Sequence, residues 1–211
     1  MKAFLKHLLV QLKMDIRERG TLMTYYLVPL IFYFVMGAVF SSTNPLSRQT
    51  LSATMVIFSV TMGAVMGIPA PIVKMRETGV LRAYLVCGIP GWAVLFIHSL
   101  SAFLHLLIVS IIIFITAPLF FGAAYPKSFP AYFLALFILL FSSIAIGIFI
   151  GVAARSQSVG MMFSQAIFLP TVMLSGIMFP AAMLPVPLRL FGWSSSCNLY
   201  YELIFRFRKL G

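Results

Sequence analysis

The chain has very little acid. Of its 211 residues four are Asp or Glu, against fifteen Lys and Arg, and charged residues of both signs make up only 9%. A soluble domain averages about 25% charged, so there is too little polar surface here to cover a water-exposed globule. With 62% hydrophobic residues and a mean hydropathy of +1.06, most of the chain has a bilayer as its natural solvent. Cysteine is also scarce: Cys87 and Cys197 lie 110 residues apart, without CxxC or Cys/His spacing, which supports neither a disulfide framework nor a zinc site. No GxxxxGK[ST] occurs, so the chain has no P-loop of its own for ATP. The basic residues fall between long apolar runs instead of being interleaved over a soluble scaffold. That pattern argues against nucleic-acid binding despite a pI near 10.1.

What the chain does have is a series of uncharged runs. In residues 1–20, Phe4, Leu5, Leu8, Leu9, Leu12 and Ile16 recur at helical spacing, with Lys2, Lys6, Lys13 and Arg17 mostly elsewhere on the wheel. This predicts an amphipathic helix lying on an anionic leaflet. Asp15 and Glu18 follow the apolar stretch, which is unlike a cleavable signal. Runs at about 21–40, 52–73, 92–121, 131–154 and 159–179 are each long enough to cross a ~30 Å hydrocarbon core. The second carries Gly63 and Gly67, with Pro69 and Pro71 disturbing its far end; the fourth carries Gly147 and Gly151. Both glycine pairs are GxxxG steps that permit close helix contact. Residues 180–211 contain Pro180, Pro185, Pro187 and Arg189 and read as short interfacial or re-entrant helices, with Trp193, Tyr200 and Tyr201 at headgroup depth. The fold class is therefore all-α, a polytopic bundle of five spans.

The charges orient it. A cytoplasmic N-terminus puts Lys2, Lys6, Lys13, Arg17, Arg19, Lys74, Arg76, Arg82 and Arg155 inside, and leaves Arg48 and Lys127 in the outer loops. Nine against two is the asymmetry of the positive-inside rule. Arg189, Arg206, Arg208 and Lys209 then fall outside, where the approach to a further span is expected.

All four carboxylates, Asp15, Glu18, Glu77 and Glu202, lie outside the five runs, which counts against a buried proton relay or an intramembrane protease. His98, Ser101 and His105 share one face of the third run with no acid or third ligand beside them. They read either as a path-lining, pH-sensitive stripe or as neutral histidines bonded to a neighbouring helix. Tyr25 and Tyr33 in the first run and Gln165 in the fifth could likewise line a path for an amphipathic substrate or anchor helix contacts.

Three stretches carry a resemblance. Glu77-Thr78-Gly79-Val80-Leu81-Arg82, with Gly88 and Pro90, is similar to the loop after the second span in permease subunits of ATP-binding-cassette transporters of the ABC type 2 exporter class. Leu174-Ser175-Gly176 with Phe179-Pro180 resembles the end of that family's fifth span, and Gly147, Gly151 and Arg155 resemble its glycine-rich fourth. The resemblance implies that residues 74–91 form the coupling helix that docks on an ATPase subunit. It also implies a sixth span, expected where this chain ends. It further implies export of a drug, peptide or lipid-linked molecule, ATP and Mg used by the partner subunit with no cofactor bound by this chain, and pairing with a like or different second permease. The expected location is the cell membrane of a bacterium or archaeon, in contact with lipid. The alternatives are a non-transporting scaffold or immunity protein and an ion-coupled secondary transporter.

Overall fold

The computed structural model describes residues 2–43, 51–123 and 129–174, and all regular structure among them is helical. Helix α1 is Lys2–Arg17. Helix α2 runs as Arg19–Leu22, a π turn at Met23–Leu27, and Val28–Thr43. Helix α3 repeats that plan with Leu51–Met62, a π turn at Gly63–Gly67, and Pro69–Glu77. The remaining helices are α4 (Val80–Val86), α5 (Gly91–Phe121), α6 (Phe129–Ala153) and α7 (Gln157–Leu174). Among the described residues, four stretches are long and apolar enough to cross a membrane, Arg19–Val39, Ser52–Glu77, Gly91–Phe121 and Phe129–Ala153; the expected fifth run, 159–179, is described only as far as Leu174.

The second span runs on as helix beyond Val73 to Glu77, so the first turn of the expected loop is helical. Pro69 and Pro71 cannot donate to the carbonyls of Val65 and Gly67, and the chain accommodates them by widening the preceding turn to π geometry. Pro118 is likewise carried inside α5.

Helix α3 is the centre of the bundle. Of its apolar window 78% is buried, against 22% for α2 and 33% for α5. Around it, Phe32 stacks on Phe58, Phe58 meets Phe168, and Phe103 packs against Phe137 and Phe141. The pairings Tyr26 with His105 and Tyr33 with Phe121 set α2 parallel to α5. A Cβ on Gly147 would strike the Ala64 carbonyl, and one on Gly151 would lie 3.1 Å from Ile72 and Pro69. The second GxxxG step thus brings the backbone of α6 onto α3. Phe34, Leu119, Phe120, Leu134, Phe141, Phe149 and Met162 are exposed around the outside, the surface that lipid would cover.

Candidate functional site

The charged ends of these helices gather at one end of the bundle. Lys74 on α3 donates to Glu18 at 2.6 Å, and this contact holds the Glu18 carboxyl below its ordinary range. Beside it, Arg76 donates from Nη1 to the Val152 carbonyl at 2.9 Å and from Nη2 to Gly151 at 3.0 Å and to Ala154. Glu77 accepts the backbone N–H of Gln157 at 3.2 Å. Thr78 closes α3 with its hydroxyl on the Lys74 carbonyl at 2.8 Å, and Gly79 turns the chain at φ 75°.

Beyond that turn stands α4, with no buried residue. Val80, Leu85 and Val86 are exposed, Val86 at 88%; Arg82 is exposed and Leu81 half-buried. Gly88, at φ 79°, ends the helix. Such backbone angles favour glycine at both positions. Apolar side chains thus stand exposed on a short helix bounded by two such turns.

A second cluster lies between α1, α2 and α5. Asp15 is buried, at 7% exposure. Its Oδ2 accepts from Ser101 Oγ at 2.5 Å and its Oδ1 from Gln11 Nε2 at 2.8 Å. His105 Nε2 lies 3.8 Å from Oδ2 and is buried without a hydrogen bond, while Nδ1 is 2.7 Å from the Tyr26 hydroxyl. Tyr25 stacks on the imidazole with 5.7 Å between centroids. Both tyrosines come from the π turn of α2, and Tyr25 rests against Gly63 and Gly67 in the π turn of α3.

This corrects the expectation that no acid accompanies the histidine stripe. Asp15 lies outside the apolar runs in sequence, yet α1 does not lie alone on a leaflet. It folds against α5, with Phe4 on Phe96 and Leu8, Gln11, Leu12 and Asp15 turned inward while Leu9 and Ile16 stay exposed. The signal was present: Asp15 stands i+7 from Leu8 and i+4 from Gln11, on the same face. The sequence shows Lys74 and Arg76 as topogenic charges at the start of the coupling segment 74–91, and nothing in it names a carbonyl as partner.

Of the proposed path residues, Tyr25 and His105 come together, and His98 is buried further along the same face of α5. Tyr33 is buried elsewhere, 3.1 Å from the Thr116 hydroxyl, and Gln165 is exposed on α7. Leu174 closes α7; Ser175, Gly176, Phe179 and Pro180 lie outside the described residues. Among those described, no three His, Cys, Asp or Glu side chains are grouped to hold a metal ion.

No match was found among curated proteins or among solved structures. Residues 8–205, nearly the whole chain, match the ABC-2 type transporter family. In that family the membrane component is not itself catalytic and works with an ABC ATPase subunit. An all-helical bundle of membrane-crossing length, charged at one end and with a bare helix standing beyond that end, is in keeping with the match, and the chain belongs to the ABC-2 type transporter family as a multi-pass permease.

Proposed function

We propose that this permease serves an ATP-driven exporter, moving a drug, peptide or lipid-linked molecule between its own bundle and that of a second permease, like or unlike. The charged end faces the cytoplasm of a bacterial or archaeal cell, and α4 docks there on the ATPase subunit, which holds the ATP and Mg. The observation that carries this reading is α4 itself, with Val80, Leu85 and Val86 left exposed between two positive-φ glycines. ATP-driven closure of the ATPase pair displaces α4, and the bundle alternates between inward and outward openings.

The test is co-purification from gentle detergent. Val86→Asp and Arg82→Glu change exposed side chains only, so folding is expected to survive while recovery of the ATPase subunit falls at least tenfold. Recovery at the parent level with both variants would sink the assignment of α4. A second reading, ion-coupled transport, draws support from the buried Asp15 beside His105. It expects transport to stop when the proton gradient is dissipated at constant ATP.

A further inference from the structure

Arg76 and Glu77 are neighbours on α3, and they bind opposite poles of a single corner. The last carbonyls of α6 have no intrahelical donor and carry the negative end of that helix's dipole. Arg76 lays its planar guanidinium across two of them, at Gly151 and Val152, and onto the carbonyl of Ala154 just beyond the helix. The first N–H groups of α7 are the positive end of the next helix, and Glu77 accepts the one at Gln157. A base followed by an acid thus matches a helix end followed by a helix start. The packing above is tight as well: a Cβ on Gly151 would meet Ile72 and Pro69 at 3.1 Å, while one on Gly160 would make ordinary contact with the Ala154 methyl at 3.4 Å and Val73 at 3.8 Å. Only Thr78 and Gly79 separate this joint from α4.

We propose that Arg76 and Glu77 are positioning residues that lock the end of α3 to the α6–α7 corner, so that a push on α4 moves α6 and α7 with it. The inference rests on the docking role of α4 proposed above. It assigns Glu77 a bond within the chain, whereas the family resemblance gave it contact with the ATPase. Lysine cannot replace Arg76, because one ammonium does not span three carbonyls as a guanidinium does.

The experiment uses the full chain in lipid nanodiscs, with Cys197→Ser and Ser158→Cys, so that spin labels sit on the native Cys87 beyond α4 and on residue 158 in α7. Labelled chain is diluted with unlabelled chain, and the label-to-label distance distribution is measured with and without the co-purified ATPase subunit and a non-hydrolysable ATP analogue. The parent is expected to give one narrow distribution that stays narrow when nucleotide is added. Arg76→Gln and Glu77→Ala are expected to widen it at least twofold while recovery of the ATPase subunit stays at the parent level. Glu77→Gln, which keeps an acceptor oxygen, is expected to retain the parent width. Distributions as narrow as the parent's in both Arg76→Gln and Glu77→Ala overturn the proposal, even if one of the two folds poorly. Failure of the parent to recover an ATPase subunit counts against the docking role of α4, and the chain-alone distances still decide whether the corner is locked.

Discussion

Asp15 brings a carboxylate into an apolar bundle, and the donors around it make that tolerable. Ser101, fully buried, and Gln11 fill two of its acceptor positions, and His105 waits at 3.8 Å with an unsatisfied Nε2. Removing the carboxylate strands the Ser101 hydroxyl and the Gln11 amide, a loss of about 1–3 kcal/mol for groups left unpaired. Asp15→Ala is therefore expected to loosen α1 from α5. The measurement is limited trypsin digestion in detergent: faster cleavage at Lys13 and Arg17, with the remaining bundle intact, is the expected result, and cleavage at the parent rate contradicts it. Asp15 also marks where reading the sequence stops. Residue type and spacing showed it on a helix between two apolar runs. Whether it met water or Ser101 depended on a tertiary contact 86 residues away, which no local pattern encodes.

At the scale of elements, the apolar runs were legible because a span needs only length and absence of charge. The two π turns were not, since a local change of hydrogen-bond period leaves hydropathy untouched; only the prolines two residues beyond each turn, Pro29 and Pro69, hinted at them. The glycine steps were legible as a tendency, and the structure ranks them. A methyl on Gly147 meets backbone, the Ala64 carbonyl, which cannot yield, whereas one on Gly63 meets the flexible end of Leu106. Gly147→Ala is accordingly expected to destabilise by about 1–3 kcal/mol through overpacking, and Gly63→Ala by less. Thermal unfolding in detergent compares them, and a larger loss at Gly63 would show that α6 can slide on α3.

At the scale of the whole molecule, the proposed orientation rests on charge. Lys74, Arg76, Arg155, Glu18 and Glu77 cluster at one end, with α4 and Cys87 beside them. In the Cys197→Ser background, an impermeant maleimide is expected to label the exposed Cys87 in inside-out vesicles and to miss it in right-side-out ones; the opposite pattern inverts the topology. The bundle also carries a residue to spare. The Gly63–Gly67 turn holds one residue more per hydrogen-bonded ring than an α turn, so deleting a single residue there lets the ring close with α geometry and leaves Arg76 in phase with the carbonyls of α6. A gene copy with that one codon missing would keep its hydropathy profile, its charges and every span, and would lose only the wide turn on which Tyr25 rests.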